Sequence, residues 1–321
     1  LKKTPFSETE IQAVRQFCER FSFDPLILRE ISSEEKSKFN SLQDESLFRY
    51  TDELLVGDRE KLYESYDFNI KPATDDKPYF SQFLRWESFP HLQKLFGDQS
   101  ASFFELGYLI VGVTFLQSLL LAIILIILPL FFLKRKMENK TWTLLYFAGI
   151  GIGFMFVEMV LIQRFILFLG HPVYSVAAVI SVMLLLSGTG SWLSTNLKLG
   201  LAAIRKVLII VAGILLLYSF VLPWLLEAGM GLGMEIRIFL SLLLIGIPAF
   251  FMGMPFPLGL RYLSKRNEGE VPWAWGINGC FSVVSTSLAT IIAVEAGFSV
   301  LILSGAAAYM VTIAVCYLKR L

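Results

Sequence analysis

The sequence predicts a mainly α-helical protein, a polytopic membrane bundle of about seven spans preceded by a smaller polar segment. Three observations carry this. Apolar residues fill 55% of the 321 positions and aromatic ones 14%, at a mean hydropathy of +0.63, more than a soluble domain usually holds. Charge is divided: residues 1–106 have 14 Lys and Arg against 20 Asp and Glu, the remainder 14 against 7, and no Asp follows Asp98. From Gly107 onward the chain is a ladder of long apolar runs, the second of which carries Glu158, Gln163 and Arg164.

In chain order, Ser7 and Glu10 form a capping box ahead of an amphipathic helix that reaches about Phe21. A strand is expected at 25–28 and a second helix at 57–66. Pro72-Ala73-Thr74-Asp75-Asp76-Lys77-Pro78 is the most distinctive stretch of the polar part. It reads either as a turn, because Asp closes Asx-turns between prolines, or as a paired-carboxylate site for a cation, an amine or a ribose. Residues 1–84 have too few strands to close a domain alone and read as the C-terminal tail of a larger soluble domain. Within 85–106, Trp86, Phe89, Leu92, Leu95 and Phe96 recur among Arg85, His91 and Lys94, the pattern of an interfacial helix.

The helical membrane domain, 107–321, has runs of spanning length at 108–133, 144–169, 173–193, 207–226, 236–260, 273–294 and 300–318. Lys134, Arg135, Lys136 and Lys140 fill the first connection, Lys198, Arg205 and Lys206 the third, Arg261, Lys265 and Arg266 the fifth, and Lys319 and Arg320 the tail. The other connections hold Glu227, Glu235 and Glu295, with Arg237. The positive-inside rule makes the first set cytoplasmic and puts residues 1–106 on the outer face, where no cytosolic cofactor reaches them. A half-helix in the second run, weakened by Gly149, Gly151 and Gly153, would reverse that parity.

Glu158 lies too far from either end of its run to reach water without a cavity or a partner, since each residue advances only about 1.5 Å. Arg164 is roughly 8 Å from the run's end and can snorkel to the headgroups. At about 100° per residue the two point to different faces. A carboxyl in mid-membrane is costly, so Glu158 is a site candidate, with Asn278, Ser187 and Thr189 as possible partners. Gly253-Met254-Pro255-Phe256-Pro257-Leu258-Gly259 should interrupt the fifth span, either as a kink or as the unwound backbone of a binding site. The three cysteines lack metal spacing and read as packing residues, His171 has no second ligand nearby, and no basic patch suggests nucleic acid.

Several motifs together resemble the C-terminal region of the membrane-bound spermidine synthase-like family. They are Thr4-Pro5-Phe6, the 72–78 run, Gly153-Phe154-Met155-Phe156-Val157-Glu158 with Leu161-Ile162-Gln163-Arg164, Leu169-Gly170-His171-Pro172-Val173-Tyr174-Ser175, the 253–259 run, and Pro272-Trp273-Ala274-Trp275-Gly276-Ile277-Asn278-Gly279. The resemblance implies that 1–84 is the small α/β tail of a Rossmann-type domain lying mostly upstream, an aminopropyltransferase or methyltransferase using S-adenosylmethionine or its decarboxylated form. The chain begins at Leu1, so an upstream portion is expected.

No Gly-rich turn after a strand exists here, so the chain itself has no cofactor site, no metal site and no assignable catalytic residue. The expected function is the membrane module of such a transferase, anchoring it or presenting an amine or lipid-borne acceptor. The alternative is a transporter-like bundle for a polyamine or other cation. Substrate-binding candidates are Glu158, Gln163, Arg164, Asn278, Asp75 and Asp76. The expected partners are the lipid bilayer and the upstream domain, in a bacterial inner (cell) membrane.

Overall fold

The computed structural model describes residues 3–28, 31–40, 46–97, 99, 105–128, 132 and 140–318. Lys134, Arg135, Lys136, Lys319 and Arg320 lie outside the described residues. The chain divides into two compact units, Leu1–Lys71 with Phe83–Ser100, and Pro72–Gln82 with Ala101–Leu321.

The first unit contains α1 (Glu8–Phe21), α2 (Ser33–Ser37), α3 (Ser46–Leu55), α4 (Arg59–Ser65) and α5 (Phe89–Phe96). Both N-termini with a Ser-x-x-Glu pattern are capping boxes: Ser7 with Glu10, and Ser32 with Glu35. The Ser32 backbone N–H, followed by the Arg15 guanidinium, holds the Glu35 carboxyl below its ordinary range. The strand expected at 25–28 does not form, and no strand occurs among the described residues, only isolated bridges at Phe68–Leu84 and Thr74–Lys77. A lone extended segment has no neighbour for its backbone groups, so it stays irregular. The α/β character expected of 1–84 is therefore not found, and a Rossmann-type tail has no support in this unit. The interfacial helix is shorter than expected: α5 buries Leu92 while Leu95, Phe96 and the preceding Trp86 stay exposed.

The second unit is a helical bundle with seven helical segments long and apolar enough to cross a membrane among the described residues: Leu106–Leu125, Thr141–Leu169, Pro172–Ser194, Leu201–Gly229, Met234–Ser264, Glu268–Ala296 and Phe298–Leu318. Their elements are α6 (Leu106–Ala122), α7 (Lys140–Leu169), α8 (Pro172–Ser194), α9 (Leu201–Gly229), α10 (Met234–Met252), α11 (Pro255–Ser264), α12 (Val271–Ala296) and α13 (Phe298–Leu318). Successive spans run in opposite directions. One end of the bundle accordingly gathers Lys198, Lys206, Arg261 and Lys265, and the other gathers Glu227, Glu235 and Glu295.

α7 is the central element, packed on α8, α12 and α13, and it is one unbroken helix of 30 residues. The half-helix weighed there as the alternative does not occur, because the glycines serve packing. A Cβ at Gly151 would lie 2.9 Å from the Asn278 Nδ2, and one at Gly153 2.6 Å from a Tyr309 ring carbon. Small residues at such positions let neighbouring helices approach closely, the usual source of stability between apolar helices in lipid. α8 and α10 pack in the same way: a Cβ at Gly190 would collide with the Phe250 carbonyl oxygen, and one at Gly253 with the Ser187 backbone.

The fifth span breaks where expected, between Met252 and Pro255. Pro255 and Pro257 occupy the first and third positions of α11, where a missing N–H removes no bond within the helix, and the first such bond runs from the Leu258 N–H to the Met254 carbonyl at 3.2 Å. Buried aromatic rings hold the break. Tyr146 stacks on Trp142 at 4.7 Å, and its hydroxyl donates to the Pro255 carbonyl at 2.7 Å.

Candidate functional site

At the acidic end of the bundle, residues 74–77 form a tight turn closed by paired backbone hydrogen bonds, Lys77 N–H to the Thr74 carbonyl at 2.9 Å and Thr74 N–H to the Lys77 carbonyl at 3.3 Å. The turn places Asp76 and Lys77 on two facing helix termini. Asp76 caps α13: its carbonyl accepts the Phe298 N–H at 2.9 Å, and Oδ1 accepts the Ser299 N–H at 2.9 Å and the Ser299 hydroxyl at 2.6 Å. Lys77 Nζ donates to the Glu295 carbonyl, at the C-terminus of α12, at 2.8 Å. Each charge meets the opposite end of a helix dipole, carboxylate at an N-terminus and ammonium at a C-terminus. Gly297 lies between the helices at φ +90°, and a Cβ there would sit 2.5 Å from Asp76 Oδ2.

Arg164, on the last turns of α7, completes this cluster. Its Nη2 donates to Asp76 Oδ1 and, at 3.2 Å, to the Ser299 hydroxyl oxygen, while the guanidinium lies 5.5 Å from the centre of the Phe298 ring. Its side chain is only 11% exposed. Asp76 supplies its countercharge within the protein. Tyr79 packs edge-on against Phe298 with ring centres 6.0 Å apart, and burial pushes its phenol above the ordinary range.

Beside this cluster lies a cavity of about 600 Å³ lined by Asp75, Asp76, Gln163, Arg164 and Glu227 over Phe168, Leu226 and Phe298. Four of the six candidates named from sequence thus meet at one place, although they come from segments far apart in the chain. Asp75 and Glu227 are exposed and have no hydrogen-bond or ion-pair partner among the described residues. With Asp76 matched by Arg164, two carboxylates remain uncompensated at the mouth.

Asn278 and Glu158 lie elsewhere. Asn278 Nδ2 donates to the Phe147 carbonyl at 3.1 Å and borders a second cavity, of about 520 Å³, at the break in the fifth span. Gly253, Pro257, Ser187, Ser191 and Ser282 line the same space. Glu158 is half-buried on the α7 face that carries Gly151, Phe154 and Met155 to this cavity, one turn further along. It does not pair with the groups expected from sequence. Asn278 is committed to Phe147, and Thr189 donates to the Leu185 carbonyl at 2.7 Å. Glu158 has no hydrogen-bond partner among the described residues.

Sequence reasoning missed Ser299, Gly297 and Glu227 as site residues. A glycine closing an apolar run, followed by Phe-Ser, was the available signal for the α12–α13 corner. It also missed the buried pair at the basic end, where the Thr143 hydroxyl donates to Glu270 Oε2 at 2.7 Å with both side chains inaccessible to solvent. His171, considered as a ligand, caps α8 by accepting the Val173 N–H at 3.2 Å.

No strand-turn-helix that could cradle a nucleoside occurs among the described residues, and the glycines at 149, 151 and 153 are filled by neighbouring helices. Comparison with known protein families, curated proteins and solved structures finds no match to this chain.

Proposed function

We propose that this chain is a membrane module that captures an amine-bearing acceptor at its acidic end for a spermidine synthase-like transferase domain upstream. The carrying observation is the convergence of the 72–78 run and the Gln163-Arg164 pair, two of the motifs that bear the resemblance, on one cavity with unmatched Asp75 and Glu227. A di- or polyamine suits this mouth, with one ammonium for each free carboxylate and methylenes against Phe168 and Leu226. S-adenosylmethionine or its decarboxylated form would belong to the upstream Rossmann-type domain, and the setting would be a bacterial inner membrane.

A second reading, transport of the same cation, draws on the cavity at the broken fifth span. Hydroxyls of Ser187, Ser191 and Ser282 and the Gly253 backbone gather there, an arrangement that transporters use for substrate sites.

The test is spermidine binding to the protein in lipid nanodiscs, with uptake of labelled spermidine into proteoliposomes measured in parallel. Saturable binding that weakens on the order of ten-fold in Asp75→Asn/Glu227→Gln supports the capture site. Absence of saturable binding, or equal binding by the variant, overturns it. Uptake above that of empty vesicles selects transport.

A further inference from the structure

Independently of the amine site, we infer that a cavity at the basic end of the bundle is a binding site for an anionic phospholipid. The cavity, about 610 Å³, opens between the α8–α9 connection, the first turns of α9 and the break in the fifth span. Its rim carries Lys198 and Lys206, and its walls are apolar, among them Leu193, Ala203, Phe251 and Met254. No carboxylate lines it.

The two lysines differ from the arginines near them. Arg261 is committed to the Ser194 carbonyl at 3.0 Å, Arg205 lies 4.4 Å over the Tyr317 ring, and Arg266 lies 5.1 Å over Tyr262. Lys198 and Lys206 have neither hydrogen-bond nor ion-pair partners among the described residues. Their positive charge is therefore available to a ligand.

Depth distinguishes a lipid from a free anion. Beyond Lys206 the lining continues along α9 as far as Ile210, roughly 6 Å further, through side chains that offer no hydrogen bonds. A free phosphate would use only the rim. A phospholipid uses both parts, its phosphate between the ammonium groups and an acyl chain against Leu193 and Phe251. This end carries the basic connections, and cytoplasmic leaflets hold anionic lipids at about 1 kcal/mol of attraction per lysine.

Native mass spectrometry of the full chain, released from mixed dioleoyl-phosphatidylglycerol and dioleoyl-phosphatidylcholine, measures the preference directly. We expect retention of phosphatidylglycerol over phosphatidylcholine on the order of ten-fold, falling to parity in Lys198→Gln/Lys206→Gln. Ala203→Phe keeps both charges but fills the apolar wall, and it too should abolish retention; this arm decides the matter if the double variant does not fold. Equal retention of the two lipids by the unmodified protein overturns the inference. So does a preference that survives both variants, or one that millimolar inorganic phosphate removes.

Discussion

Arg164 and Asp76, separated by 88 residues, share a hydrogen-bonded ion pair whose carboxylate also caps the last helix through the Ser299 N–H. One side chain of the 72–82 segment thereby joins α7 to the start of α13. The partly exposed pair stabilises less by Coulomb attraction than by satisfying backbone donors that would otherwise face apolar surroundings.

A double-mutant cycle measures that coupling. Asp76→Asn and Arg164→Met should each lower thermal stability in detergent, with an interaction of about 1–2 kcal/mol between them. Ser299→Ala should cost less than Asp76→Ala, because it leaves the backbone N–H of residue 299 capped. Additive effects of the two charge changes would show that the pair is incidental.

Gly297→Ala combines a left-handed backbone with a collision against the Asp76 carboxylate. A cost of about 2 kcal/mol or more is expected. Gly170 has φ +75° but open space around its Cα, so Gly170→Ala should lose only about 1 kcal/mol. Thermal unfolding of the two variants separates backbone strain from the clash; equal losses would remove the Asp76 contact from the account.

Glu158→Gln should assemble normally, since the carboxyl has no partner to lose among the described residues. Activity of the full protein should fall, because an ionisable group beside the polar cavity has no other evident purpose. Size-exclusion profiles report the first outcome, and labelled-amine uptake or transferase turnover the second. A fully active Gln variant removes Glu158 from the site.

Sidedness follows from the antiparallel order of the spans and the sign of their connections. In a Cys18→Ser background, where Cys280 and Cys316 are buried, Gly231→Cys should react with an impermeant maleimide in intact cells. Lys265→Cys should react only after permeabilisation. The reverse pattern would invert the topology and put the acidic mouth in the cytoplasm.

Span positions were legible in sequence because lipid imposes a one-dimensional rule: a helix must stay apolar for about 20 residues. The break at 253–255 was legible for a similarly local reason, since proline removes a donor from its own helix. The first unit was harder to read. Its strand depended on a pairing partner that no local pattern announces, and none forms among the described residues.

The sequence by itself determined the spans, the break, the acidic and basic ends, and the polar residues too costly to be casual. Tertiary structure decided which of these belong together. It brought Asp75, Asp76, Gln163 and Arg164 to one cavity with Glu227, gave Asn278 to Phe147, and turned the glycines of α7 from helix breakers into contacts. The physical reason is that hydropathy acts on each segment alone, whereas a salt bridge or a close helix approach depends on how segments distant in sequence are rotated and stacked against one another.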